Sequence, residues 1–456
     1  MFQHLRQTYP HLKSITLTHI PITRDKTYLT YLKVFKKSVK ILNINSCTSE
    51  IEPTPNLLKR ITNVLVGETD LVKEELLPVL AHDDSGDVYE LETLSIIDHY
   101  LCLQNEQQGQ YSLTIKNLTI HLQSLQCLFH LCGHLPNIEY LNVYCSYGDN
   151  DSHSYQSVMN SKTLSPHLKY FIFKGNNVVY NNLHLLIKQF HSSIKMLSLF
   201  VYCVQDTFMD NDMDYSFLSN LNELHLYFHC RQLAVRQNGE QQIIASKFQT
   251  RFWNKYTVMC SHSCNYDYTI LTLPCPFEFV PYITDNFLNY HSNKSSMMTT
   301  ITDDKNFVMS HVTKVDLAQD RHDRPMSLKC FELIRKLFPR LNTLKINYNL
   351  DTHRLPSLIV LTTVKKLYLN PFSECTSWNS FKSVLLMVPN VEILEISYKT
   401  LSLLINNYCC NDLDTEHIRK QLKTIIIMWY KEATTALDRL IRSMFPNAEI
   451  QFPTSA

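Results

Sequence analysis

The sequence predicts an α/β fold arranged as a solenoid (horseshoe), with a parallel inner sheet, outer helices and a non-repeating insert. Three observations predict it. A unit of helix, proline and short strand recurs along most of the chain. Each unit carries two apolar faces that only a stacked neighbour can bury. Glycine is scarce, 7 in 456 residues, which disfavours glycine-rich phosphate loops and long flexible linkers.

The clearest unit runs from Cys330 to Tyr348, CFELIRKLFPRLNTLKINY. Phe331, Leu333, Ile334, Leu337 and Phe338 are spaced as one face of a helix, which Pro339 ends because it has no N–H to offer. Leu341, Leu344 and Ile346 then alternate with polar residues as in a short strand. They are predicted core, and Lys345 and Asn347 are predicted to point the other way.

The same template, an apolar helix followed by φxxφxφ with φ apolar, fits in order at Leu12, Ile15 and Leu17; Val39, Leu42 and Ile44; and Ile138, Leu141 and Val143. It fits again at Leu168, Phe171 and Phe173; Ile194, Leu197 and Leu199; and Leu221, Leu224 and Leu226. After an interruption it returns at Val312, Val315 and Leu317, then at the unit above. Val364, Leu367 and Leu369, then Val391, Leu394 and Ile396, then Leu422, Ile425 and Ile427 follow. A last helix, Leu437 to Phe445, leads through Pro446 to a terminal strand. Away from the interruptions the steps are 23 to 31 residues, the period of repeats holding one strand and one helix each.

Two gaps break the period. Between Val39 and Ile138 only Leu91, Leu94 and Ile96, then Leu118, Ile120 and Leu122 are recognisable, with an exposed loop expected at Asp83 to Gly86. From Gln237 to Ser310 nothing repeats. KYTVMC, YDYTILTL and FEFVPYI read there as strands of a small antiparallel sheet, and Ser292 to Lys305 as a mobile loop. The expected organisation is an N-terminal lobe over 1–236, irregular over 45–127, an insert over 237–310, and a C-terminal lobe over 311–456.

At 45% hydrophobic and 19% charged residues the chain is globular rather than disordered. Its 43 Lys plus Arg balance 42 Asp plus Glu, a formal charge of +1, so no strong field steers it towards nucleic acid or an anionic membrane, and neither is an expected partner. The 14 cysteines are scattered, many singly, as at Cys127, Cys132, Cys145, Cys203, Cys230 and Cys330, where a reduced thiol packs as a small hydrophobe. That usage points to the cytoplasm or nucleus. MFQHLRQTYPHLKS lacks the pattern of a signal peptide, and no apolar run approaches the roughly 18 residues that cross a bilayer.

LFPRLNTLKINYN, LMVPNVEILEISY and HLPNIEYLNVYC resemble the LPxLxxLxLxx segments of leucine-rich-repeat proteins. More narrowly, they resemble the irregular long repeats that follow the F-box in substrate receptors of ubiquitin ligases. The resemblance covers most of the chain. It implies a protein partner, and substrate recognition for a ubiquitin ligase whose adaptor is reached through an N-terminal module. The asparagine at the tenth position of the family's repeat is mostly missing. No F-box is recognisable: Leu77-Pro78 is the nearest match to its opening, but AHDDSGDVYE after it reads as a loop. The pattern begins in mid-repeat at Phe2, which leaves an upstream module or a free-standing array as the alternatives.

Candidate chemistry is sparse. Cys260, His262, Cys264 and Cys275 include a Cys-x-His-x-Cys run of zinc-ligand types, but without a CxxC knuckle or second pair. A hydrolase or metal-dependent enzyme centred on 260–275 is the rival reading. Cys409-Cys410 reads as a vicinal pair at a helix end. The 20 histidines are dispersed, with no HExxH or GxSxG motif, and Asp149-Asn150-Asp151 lacks the Gly and Glu of a calcium loop. No catalytic residue, cofactor or metal is therefore assigned, and the chain is not expected to be an enzyme.

What remains is surface. Residues between the apolar strand positions point to the concave face, where a rigid scaffold can present them to a partner. Among them Tyr144, Phe200, His225, Tyr227, Lys345 and Tyr368 are the expected partner-binding residues, because exposed aromatics commonly anchor interfaces.

Overall fold

A computed structural model describes residues 12–18, 39–45, 91–101, 114–147, 165–203, 215–218, 220–230, 248–249, 251–262, 267–284, 287, 289–292, 298–300, 308–318, 328–346, 359–369, 378–406, 416–428 and 435–452. The chain divides into two compact units, Met1–Ala234 and Val235–Ala456. Both hold large, mainly parallel sheet with few helices, and the sheets do not close into a barrel. The expected loops at Asp83 to Gly86 and Asp149 to Asp151, and the residues Cys264, Asn347 and Cys409-Cys410, lie outside the described residues.

In the first unit, strands β1 (Ser14–Thr18), β2 (Ile41–Asn45), β3 (Thr93–Leu101), β4 (Asn117–Ser124), β5 (Tyr140–Tyr147), β6 (Tyr170–Val178), β7 (Met196–Cys203) and β8 (Glu223–Cys230) pair in parallel, each with the next. Helix α1 (Leu125–His134) begins where the side chain of Ser124 accepts the N–H of Cys127 at 3.4 Å. Helix α2 (Tyr180–Gln189) follows β6. The apolar strand positions line up in register across the sheet, so Leu118, Leu141, Phe171, Leu197 and Leu224 form one buried row. Ile120, Val143, Phe173, Leu199 and Leu226 form the next. The first apolar position of the β4 step is Ile115, also buried, which the sequence reading missed by starting at Leu118. At Gly175 a Cβ would stand 2.6 Å from Val178 Cγ2 and 2.7 Å from Phe173 Cε1, so this strand position takes no side chain.

In the second unit, β9 (Thr257–His262) and β10 (Tyr268–Leu273) pair antiparallel, and β12 (Asn289–Ser292) joins β9 and β13 (Met298–Thr300) in the same sense. KYTVMC and YDYTILTL thus form the antiparallel hairpin expected of the insert. FEFVPYI does not. It supplies β11 (Phe279–Ile283), which pairs in parallel with β14 (Lys314–Leu317). The physical reason is its spacing: Phe277 and Val280 are three apart and buried, as the first two apolar positions of the other steps are, and a register shift after Val280 brings the buried Ile283 opposite Leu317. The parallel series continues through β15 (Thr343–Ile346), β16 (Lys366–Leu369), β17 (Ile393–Ser397), β18 (Thr424–Met428) and β19 (Glu449–Gln451). Helices α3 (Leu328–Leu337), α4 (Trp378–Met387), α5 (Tyr398–Asn406), α6 (Glu416–Gln421) and α7 (Thr435–Met444) lie between strands of this series, α5 and α6 both between β17 and β18. In the unit around Cys330, Phe331, Leu333, Ile334, Leu337, Phe338, Leu341, Leu344 and Ile346 are all buried.

Strands β2 to β8 and β14 to β18 start the same way. One carbonyl accepts two successive N–H groups of the next step: Glu139 O takes Lys169 N at 2.8 Å and Tyr170 N at 3.0 Å, and Asn342 O takes Lys365 N at 2.8 Å and Lys366 N at 3.0 Å. This link recurs from Lys13 to Lys195 in the first unit and from Glu278 to Glu392 in the second. The prolines do more than stop helices. Leu341 N donates to Phe338 O at 3.0 Å, Val391 N to Val388 O at 3.1 Å and Ala448 N to Phe445 O at 3.2 Å, so Pro339, Pro389 and Pro446 occupy the second position of a β-turn, which suits their fixed φ.

The third turn position then ties step to step. Asn390 Nδ2 donates to Thr362 O at 2.8 Å and Asn447 Nδ2 to Lys420 O at 2.9 Å, and Gln421 Nε2, at the end of α6 rather than in such a turn, reaches Pro389 O at 3.1 Å. In the first unit Asn220 Nδ2 donates to Ser192 O at 2.6 Å, as Asn390 does to Thr362 O. Two residues later along the chain a charge ladder runs beside these ties. Lys40 meets Glu92 at 3.2 Å and Lys169 meets Glu139 at 2.6 Å, while Glu392 accepts Lys365 at 2.9 Å and Lys423 at 2.6 Å.

Candidate functional site

The sheet faces turned away from the apolar rows are the candidate sites, and each unit has its own. In the first unit parallel register carries His121, Tyr144, Lys174, Phe200 and Tyr227 across one row. Tyr144 accepts a hydrogen bond from Asn176 Nδ2 at 3.0 Å, and its ring lies 5.2 Å from His121. Phe200 and Tyr227 stack with centroids 4.6 Å apart, and Tyr202 meets Phe200 edge-on at 5.6 Å. The expectation that Phe200 and Tyr227 stand exposed is corrected. Phe200 is 8% exposed and Tyr227 is fully buried, because stacked rings cover each other's faces. His225 is half-buried, with Nε2 3.5 Å from Glu223 Oε2; burial holds its pKa below the usual range against the pull of that carboxylate.

Besides the exposed Lys174 in that row, accessible residues on this face lie two rows earlier. Tyr140, Tyr170 and Met196 are register neighbours at the strand starts, and Tyr170 is 41% exposed with its ring 6.5 Å from Tyr140. Asn142, Ile172 and Ser198 follow two residues on. Strand alternation already puts Tyr140 on the side of Asn142 and Tyr144, so the signal was present in the sequence. It was overlooked because only positions after the second apolar residue were assigned to the face.

In the second unit the face carries charge. Lys345 Nζ pairs with Asp316 Oδ2 at 3.3 Å, and Lys366 Nζ lies 3.9 Å from Glu395 Oε2. Tyr368 sits among them, its ring 4.5 Å from Lys366 Nζ and 5.6 Å from Lys314 Nζ. Burial raises the pKa of Asp316 and of Glu395 above the ordinary carboxylate range, with the neighbouring lysines opposing it. Asp316 Oδ1 is buried without a hydrogen-bond partner among the described residues.

Of the four zinc-type residues of the insert, Cys264 and the side chain of His262 lie outside what is described. Cys260 and Cys275 are buried, and burial alone drives both thiols upward, Cys275 to about 11. That environment suits a packed thiol and opposes the thiolate that metal binding or nucleophilic attack requires. Among the described residues no three His, Cys, Asp or Glu side chains are gathered as metal ligands. A buried polar group that sequence reading missed is structural in character: Tyr180 Oη meets Tyr215 Oη at 2.9 Å and His184 Nδ1 at 3.3 Å.

No protein-family model matches the sequence, and no curated protein matches it. Among the described residues no helix is long and apolar enough to cross a membrane.

Proposed function

We propose that the chain is a leucine-rich-repeat array acting as a non-catalytic protein-binding scaffold. In this reading it resembles the arrays of F-box/LRR substrate receptors and recognises a substrate for a ubiquitin ligase, in the cytoplasm or nucleus. The observation that carries the reading is the row of Tyr140, Tyr170 and Met196, with Asn142 and Ile172 beside it, on strands whose ends are tied step to step. Tyr and Met are the side chains that interfaces favour, and here they stand on a scaffold that loses little entropy on binding.

Co-purification from native cells tests it, with wild type compared against the Tyr140→Ala/Tyr170→Ala double variant. A protein partner is recovered by wild type and lost by the variant at unchanged melting temperature, and an adaptor or ligase subunit accompanies it. Recovery of the same proteins by both forms overturns the assignment of the face. Recovery of a partner with no ligase subunit overturns the ubiquitin-ligase role.

A further inference from the structure

We propose that Lys314, Lys366 and Tyr368 form a docking site for an extended acidic segment of a protein partner. This rests on the protein-recognition reading and names the chemistry of the partner. Lys314 Nζ and Lys366 Nζ lie 5.6 Å and 4.5 Å from the Tyr368 ring centroid, and Lys314 Nζ also lies 4.8 Å from that of Phe279. A ring face attracts a cation, but two ammonium groups drawn to one ring repel each other. An anion placed between them relieves that repulsion.

The charges are also layered. In the Lys345–Asp316 pair the lysine side chain is 35% exposed and the aspartate 11%; in the Lys366–Glu395 pair the values are 28% and 17%. The carboxylates are recessed and the ammonium groups are outermost. Lys314 has no carboxylate at ion-pair distance among the described residues. An approaching ligand therefore meets a more positive surface than the local sum of charges suggests.

The spacing suits an extended chain. Lys314, Thr343 and Lys366 are register neighbours on three successive strands, which puts the two lysine backbones roughly 10 Å apart. From there both ammonium groups converge on Tyr368. Side chains on one side of an extended peptide recur about every 7 Å, so carboxylates two residues apart can each reach one lysine. The half-buried rings of Tyr368 and Phe279 then receive the intervening aliphatic carbons. The overall charge of +1 provides no long-range field for a nucleic acid, so the preference is local and for a protein segment.

The test is fluorescence anisotropy on the full chain with a labelled dodecapeptide of alternating Glu and Ala. A Lys/Ala peptide of the same length and a single-stranded oligothymidylate serve as comparators. The Glu peptide binds saturably, the other two far more weakly, and added salt weakens the binding. Lys314→Ala reduces affinity about tenfold and Lys314→Glu abolishes binding, while Lys314→Arg retains it. Lys314→Arg keeps the charge that Asp316 and Glu395 feel and leaves the melting temperature unchanged; Lys314→Ala and Lys314→Glu weaken or reverse it, so their binding is read below the onset of their own unfolding curves. No saturable binding, equal binding of either comparator, or indifference to Lys314→Glu overturns the proposal. If the Glu peptide fails while a partner is still captured through Tyr140 and Tyr170, this inference alone falls; if both fail, the recognition reading falls with it.

Discussion

Tyr227 stacks on Phe200 with ring planes 15° apart and is fully buried, although it lies on the sheet face opposite the apolar rows. The ring therefore acts as core. Tyr227→Ala is expected to lower stability by about 3–4 kcal/mol, whereas Tyr170→Ala, at an exposed ring on the same face, changes it by no more than about 0.5 kcal/mol. Denaturant unfolding of the two variants checks this. Equal losses would mean that Tyr170 is as tightly packed as Tyr227.

The repeat itself was legible because its apolar positions both pack and recur. Leu341, Leu344 and Ile346 are buried as alternation requires. Tyr227 was misread because alternation assigns a face, and only contacts with Phe200 decide whether that face is covered. The parallel pairing of β11 was masked by the flanking insert, although Phe277 and Val280 carry the usual spacing. The turn ties made by Asn390 and Asn447 leave no periodic signal of their own, since Gln421 makes its tie from the end of α6 and Thr363 occupies the same turn position one step earlier. The exposed Tyr170 and the half-buried Tyr140 beside it were in view as ordinary strand residues, and only the accessibility of Tyr170 singles the pair out.

Glu392 accepts hydrogen bonds from two lysines, Lys423 first in strength and Lys365 second, and its pKa is pulled down from 4.5 to about 2. A carboxyl group with a lowered folded-state pKa contributes stability that is present above about pH 4.5 and is lost as pH falls towards about 2. Glu392→Gln should therefore lower the melting temperature at neutral pH. The gap to wild type should close over that acid window. A gap independent of pH would place the effect in packing rather than charge.

Asp316 behaves with the opposite sign. Burial raises its pKa and Lys345 is the chief opposing influence, so ionised Asp316 is a liability that grows as pH rises. Lys345→Ala removes the cation and leaves a buried carboxylate. The expected loss is about 2 kcal/mol at neutral pH, shrinking as acid protonates Asp316. Urea unfolding at two pH values measures it, and a loss that grows in acid would contradict the account.

Cys260 and Cys275 are predicted to resist iodoacetamide at pH 8 in the folded chain and to react once it is unfolded, because burial holds both thiols protonated. Mass spectrometry of the alkylated peptides reads this directly. Rapid labelling of either in the native state, or zinc bound stoichiometrically by the purified protein, would favour the rival reading of the insert as the centre of an enzyme.

The most direct test of protein recognition is site-specific crosslinking. A photo-reactive phenylalanine analogue is placed at the position of Tyr170 and, separately, at that of Leu185, which is exposed on α2. In native cell extract the account predicts a discrete protein adduct from the Tyr170 position and none from the Leu185 position. An adduct from the helix alone, with none from the sheet face, would contradict it.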